Sequence, residues 1–200
     1  SGSVQLDGND VATFNLQHLR SNVSLVDTTN KFFEGSIREN FQRVLPNANN
    51  NRISWASELA GLSSSMEQLN VTFETQISDL KPIWNADFQT KFSLARALIR
   101  NPKVLILDDI LSQMDTDSIL DFQKSFDSIA KSRTMILISR ELHNLSPCKK
   151  IMFFSGAKLA QFGSTLDTLN EDGPAKELMK KQLRVISPKF EQDYQSSVKS

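Results

Sequence analysis

This chain of 200 residues has a single cysteine, Cys148, together with two histidines and seven glycines. A lone thiol excludes an internal disulfide framework and fits a reducing compartment. So few histidines and cysteines argue against a structural zinc site as well. Charge of one sign is also missing: 23 Lys and Arg offset 23 Asp and Glu, so no basic footprint argues for nucleic acid. No apolar run approaches the roughly 20 residues that cross a bilayer, and no signal-peptide pattern opens the chain. The expectation is a soluble globular chain without a leader. None of the seven glycines precedes a lysine. The loop G-x-x-x-x-G-K-[ST], whose backbone amides cradle phosphates, is therefore absent from these residues.

Periodicity supplies the elements. "SVQLDG" and "NVSLV" read as short strands, the first closed by the Asp7-Gly8 turn signal. "SIRENFQRVL" and "ISWASELAGLSSSMEQL" space apolar residues at three and four, which predicts helices with Ser36 and Ser54 as N-caps. "PNANNNR" between them reads as a turn or loop. "FQTKFSLARALI" predicts a further helix, stopped by Asn101-Pro102. Then the texture becomes βαβ: "KVLILD", "DTDSILDFQKSFDSIA", "TMILIS". Continuous apolar strands of this kind belong to a parallel sheet covered on both faces. "KKIMFF" and "AKLAQFG" predict two more strands around Ser155-Gly156. A helical segment from Thr165 and a polar tail follow.

The stretch "NPKVLILDDILSQMD", residues 101–115, drives four apolar residues into Asp108 and Asp109 and follows them with Asp115. One reading is a strand that delivers carboxylates to a phosphate-bound magnesium, a hard ion suited to oxygen ligands. The other is an apolar strand ending at a polar turn.

The surrounding residues favour the first. "LARALIRNPKVLILDDILSQMD" resembles the helix, Walker B strand and D-loop of an ABC transporter ATPase domain. "SGSVQLDGNDVATFNLQHLRSNVSLV" and "KFFEGSIRENF" resemble the segments flanking the Q-loop in exporter-type members, and "LAGLSSSMEQLNVTFETQISD" resembles their helical subdomain. "RTMILISRELHNL", "KKIMFFSGAKLAQFGSTLDTL" and "DGPAKELMKKQL" resemble the H-loop strand, last hairpin and C-terminal helix. The resemblance runs in family order to about Arg184, with fused exporters, type I secretion systems included, as the nearest kind. It implies an α/β, P-loop NTPase-like parallel sheet with helices on both faces and an inserted helical subdomain. Residues 1–33 and 91–184 would form the core, 34–90 the helical subdomain and 185–200 a polar tail. The P-loop strand, which the family places between the strands matched by "TMILIS" and "KKIMFF", would be missing, as in a truncated or split domain.

Site roles follow from the same resemblance. Asp108 would hold Mg²⁺ through water. Asp109 stands where the family carries the glutamate that orients the attacking water. It is one methylene short, roughly 1.5 Å of reach, and a misplacement of about 1 Å costs on the order of 10²-fold in rate. Thr28 holds the Q-loop position, with Asp27 beside it as a turn residue. The signature loop maps to Trp84, Asn85, Ala86, Asp87 and Phe88. There Asn85 can cap the helix, and Asp87 either repels a phosphate or interacts with its own helix dipole. Arg140 takes the H-loop position, where it reaches a phosphate or pairs with an acid such as Glu141. Asp115 is the D-loop acid.

The implied ligand is Mg-ATP. The implied partners are the transmembrane domain of an ABC exporter and a second ATPase domain, in a homo- or heterodimer at the cytoplasmic face of the membrane. Substitution at the Q-loop, signature and H-loop positions implies weak or absent hydrolysis. Two alternatives stay open: a non-catalytic module pairing with a competent ATPase subunit, and a competent motor once an upstream phosphate loop is supplied.

Overall fold

The computed structural model describes residues 2–29 and 31–186. They form two compact units, Ser1–Ile138 and Ser139–Ser200, each taken by itself below.

The first unit opens with a two-stranded antiparallel hairpin, β1 (Gln5–Leu6) and β2 (Asn9–Asp10). Its turn falls on Asp7-Gly8, both at positive φ (49° and 80°), as the Asp-Gly signal predicts. Helix α1 (Leu16–Asn22) runs into strand β3 (Val23–Val26). Helix α2 (Ile37–Val44) begins with a full capping box: the Ser36 side chain accepts from the Glu39 amide, and the Glu39 carboxylate accepts from the Ser36 amide.

The next helices depart from expectation. Helix α3 (Asn50–Leu59) is capped by Asn49, whose Oδ1 accepts from the Arg52 amide at 2.9 Å. Ser54 lies inside the helix and caps nothing, and the expected turn stops at Asn49. An asparagine preceding the apolar periodicity was as good an N-cap as the serine within it. The single long helix predicted through residue 69 is broken at Gly61, which sits in the left-handed region (φ 70°) and separates α3 from α4 (Leu62–Gln68). Short helix α5 (Ile77–Leu80) leads to α6 (Ala86–Leu98).

Strand β4 (Val104–Asp108), helix α7 (Thr116–Ala130) and strand β5 (Thr134–Ile138) form the βαβ unit. The sheet order is β3-β4-β5, all parallel, with Leu25 beside Ile106 and Ile106 beside Ile136. Alternation puts Ser24, Val26, Leu105 and Leu107 on one face. Helix α6 packs there: the Ser24 hydroxyl donates to the Ala97 carbonyl, and Leu105 and Leu107 are fully buried. The other face carries Leu25, Ile136 and Ile138, exposed by 59%, 41% and 47%. The expected α/β architecture, a parallel sheet with packed helices, is thus present. Continuous apolar strands signal a sheet made for two covers, and periodicity cannot say whether both are present.

Packing in this unit centres on α6. Phe92 is fully buried and stacks on Phe32 at 4.9 Å, with Phe41 at 5.5 Å and Phe88 at 6.3 Å around it. Beside this cluster the fully buried Asn40 ties down the loop before α2. Its carboxamide accepts from the Phe33 amide (2.9 Å) and donates to the Phe33 and Ser36 carbonyls (2.9 and 3.0 Å).

The second unit pairs β6 (Lys150–Ser155) with β7 (Lys158–Ser164), antiparallel, with an irregularity between Phe153 and Phe154. Helix α8 (Thr165–Asn170) is capped by Ser164, and α9 (Pro174–Ile186) follows. Gln182 of α9 accepts from the Leu142 amide (2.9 Å) and donates to the Arg140 carbonyl (2.7 Å), fastening the turn that starts this unit. Helix α9 ends at Ile186, and residues 187–200 of the expected polar tail lie outside the described residues.

Two outcomes follow. Asn40→Ala removes three side-chain hydrogen bonds and leaves the Phe33 amide and carbonyl without their partner, which costs about 2–3 kcal/mol, read as a lower urea midpoint at unchanged slope. The Asp115 carboxylate caps α7 by accepting from the Ser118 amide at 2.8 Å. The amide and hydroxyl of Ser118 hold Asp115 below the ordinary carboxylate range. Its ionised form is favoured in the folded state, so its contribution is complete above the unfolded value of about 3.9. That contribution fades as pH falls through the lowered one. Asp115→Ala costs about 1 kcal/mol at pH 7, and the gap to wild type narrows in denaturation series taken toward pH 3.

Candidate functional site

Strands β3 and β4 end side by side, Val26 opposite Leu107, at the carboxyl edge where open α/β sheets bind ligands. Asp108 is the last residue of β4 and is exposed. Asp109 turns away immediately. Its backbone is left-handed (φ 54°), its amide donates to the Ile138 carbonyl at 2.9 Å, and its own carbonyl accepts from the Ser112 amide and hydroxyl at 3.2 and 2.6 Å. The turn after β3 presents an exposed Thr28. Asp27 beside it accepts from the Thr29 amide (2.9 Å) and hydroxyl (2.5 Å), which hold its carboxyl below the usual range, the hydroxyl contributing most. Asp27 is thus the turn residue expected.

Among the described residues no three His, Cys, Asp or Glu gather to hold a metal. Magnesium retains several waters and is commonly held by one or two carboxylates plus substrate phosphates. An exposed Asp108 at the sheet's carboxyl edge fits that mode and no all-protein cage.

The signature position lies elsewhere in the same unit. Asn85 caps α6, its Oδ1 accepting from the Phe88 amide at 2.8 Å, as expected. Asp87 is neither a solvated first-turn acid nor a free charge. It is buried and paired with Lys91 four residues on, Oδ2 to Nζ 2.8 Å, with the two side chains only 9% and 13% exposed. Lys91 also donates to the Ser65 hydroxyl of α4 at 3.0 Å. Phe88 points into the core and is 1% exposed, Trp84 packs on Phe32 at 4.9 Å, and Ala86 is exposed.

Asn85, Asp87, Phe88 and Lys91 line a recess of about 230 Å³ that Asp115 also borders, together with α4 and the start of α7. Lys91 adds to the lowering of the Asp115 pKa, after the Ser118 hydrogen bonds. The structure therefore brings the signature and D-loop positions together, while Asp108 and Asp109 do not border this recess. Lys91 is the residue sequence reasoning missed. Its signal was present: an acid and a base at helical spacing i, i+4.

Arg140 belongs to the second unit, where its carbonyl holds Gln182. The neighbouring Glu141 carboxylate sits 3.4 Å from His143 Nε2 and accepts from the Asn144 amide nitrogen at 3.2 Å.

Comparison with known proteins follows the same lines. The profile of the family described as ABC transporter matches residues 1–112. Among relatives, ABC transporter B family member 2 of Dictyostelium discoideum is 32% identical over 91% of this chain and 13% of its own length. Multidrug resistance protein homolog 65 of Drosophila melanogaster is 32% identical over 86% of this chain and 13% of its own. The solved structure of a bacterial Atm1-family ABC exporter with ATP bound superimposes with a TM-score of 0.83 at 25% identity, covering 92% of this chain and 32% of that one. The chain thus spans about 13% of the length of these two relatives. No described helix is long and apolar enough to cross a membrane. With the matching profile, the shared sheet-and-helix architecture and the carboxylates at the end of β4, this chain belongs to the ABC transporter family and has the fold of an exporter's nucleotide-binding domain.

Proposed function

We propose that the chain serves as part of the ATP-binding domain of an ABC exporter in which ATP hydrolysis is weak or absent. The observation that carries this reading is the use made of the signature position: Asp87 is held by Lys91, and Phe88 fills the core. A loop that meets a phosphate needs free backbone amides at a helix N-terminus and no competing anion. Here the Phe88 amide already donates to Asn85, and a carboxylate occupies the first turn.

Asp108 is the residue to hold magnesium together with the phosphates of a bound nucleotide, and magnesium would neutralise their charge there. Asp109, at the position of the water-orienting glutamate, has a short side chain on a left-handed backbone fastened to Ile138. Its reach is that of one methylene and a fixed turn. Thr28 stands at the Q-loop position and Arg140 at the H-loop position, with a core of residues 1–33 and 91–184 and a helical subdomain of 34–90. Partners on this reading are the exporter's transmembrane domain and a second ATPase domain. Asp115 and the recess beside the signature position lie on the surface that faces the latter. The location is the cytoplasmic face of the membrane.

Two experiments test this. Calorimetry and phosphate-release assays with Mg·ATP give no turnover above background for the chain or for Asp109→Glu. Magnesium-dependent turnover created by that single change would overturn the reading. The structural role of the signature position is separately measurable. Lys91→Met strands a buried carboxylate and costs on the order of 3 kcal/mol in urea denaturation, whereas Asp87→Asn with Lys91→Met recovers most of it. A single variant costing under about 1 kcal/mol would show that the pair is an ordinary surface contact.

A further inference from the structure

Two arginines close on the turn that joins α6 to β4, at the other end of β4 from Asp108. Arg52, in the first turn of α3, donates from Nε to the Ile99 carbonyl at 2.7 Å. Arg133, just before β5, donates from Nη2 to the Asn101 carboxamide oxygen at 2.9 Å. The two acceptors lie two residues apart, and the left-handed backbone of Asn101 (φ 54°) makes the turn sharp. The guanidinium groups are therefore neighbours. Burial lowers the pKa of both, and the charge of Arg52 lowers that of Arg133 further. Lys103 comes abreast of Arg133, because Val104 and Thr134 are in register and the Thr134 amide donates to the Lys103 carbonyl at 2.8 Å.

Like charges held together call for an anion, and the described residues supply none. Arg52, Lys103 and Arg133 form no ion pair among them. Nε and Nη1 of Arg133 are buried without an acceptor. Arg52 gives the protein only its Nε and is held in place over the Trp55 ring, 4.2 Å from the centroid. Fastening the turn accounts for the two hydrogen bonds to 99 and 101 and leaves the remaining donors unused. Arg52 also walls a recess of about 410 Å³, within the ligand-sized range of about 300–1,000 Å³. Trp55, Leu45 and the exposed carboxamides of Asn47 and Asn51 share its lining, and no carboxylate does.

We propose that this recess binds a phosphate oxyanion, free or as the phosphoryl group of a small polar ester. Arg52 meets it with its two Nη groups, a planar fork that matches phosphate oxygens. Arg133 and Lys103 act on it through their charge, which the bound anion offsets. The carboxamides of Asn47 and Asn51 donate to its remaining oxygens or to hydroxyls of the ester. The proposal is independent of nucleotide binding.

The test is calorimetry of the full chain with inorganic phosphate, against chloride at matched ionic strength. Saturable binding is expected, with a urea midpoint that rises as phosphate is added. Arg52→Gln keeps a donor for the Ile99 carbonyl and is expected to bind phosphate at least tenfold more weakly. Asn51→Asp disturbs no hydrogen bond of the fold and puts an acid in the first turn of α3, where the helix dipole favours it. Its urea midpoint in chloride is expected to equal or exceed that of wild type while its phosphate affinity falls at least tenfold, a split that a purely structural role would not give. Should Arg52→Gln unfold, Asn51→Asp decides alone. Glycerol 3-phosphate separates the two sources: tighter binding than inorganic phosphate assigns an ester, and equal or weaker binding assigns the free anion. A response no greater than that to chloride overturns the proposal, as does wild-type affinity in either folded variant. A midpoint that climbs equally in wild type and variants is the general exclusion effect of phosphate and overturns it too.

Discussion

Helix α6 is buried on more than one side, and much else is fixed by that constraint. Phe88 and Phe92 face the aromatic cluster, Leu94, Ala95 and Leu98 are fully enclosed, and even Asp87 and Thr90 are out of solvent. A helix enclosed this way admits a charged residue only with a partner, because an unpaired buried carboxylate costs several kcal/mol. Lys91 meets that requirement for Asp87. On its other flank the same helix and the turn after it bring Arg96 and Arg100 to the edge of β3. One segment thus sets the character of two surfaces of opposite chemistry.

Much of the fold was legible because its signals are local. The Asp7-Gly8 turn, the Ser36 capping box and the apolar strands 104–108 and 134–138 each announce themselves within a few residues. The misplacements share one cause, competition between neighbouring signals. Asn49 and Ser54 were both acceptable caps, and only the start of the packed face decides between them. Gly61 inside a good helical periodicity could be an internal residue or a joint, and its positive φ makes it a joint.

The site was legible in part, and the division is physical. Asp108, Asp109 and Asp115 stand out since carboxylates after an apolar strand are unusual locally, and Asn85 as a cap follows from its place before α6. What Asp87 does could not be read from its own position, because the answer lies in burial, which depends on α4 and α7 coming together around Lys91. The cations along β3 were equally hidden. Arg20, Lys31, Arg96 and Arg100 are spread over some eighty positions, and only the parallel pairing of β3 with β4 brings their segments to one edge.

The exposed apolar side chains on the face of the three-stranded sheet away from Leu105 and Leu107 have a colloidal consequence. Leu25, Ile106 and Ile136 stand in register across three strands, flanked by Ile138, as a continuous apolar ribbon. The chain's formal net charge is zero, so at neutral pH there is no long-range repulsion to keep two such ribbons apart. Patches of this kind set the concentration at which a protein leaves solution. Moving the pH away from neutrality, or placing one Lys at position 136, would change that limit more than any improvement of the core.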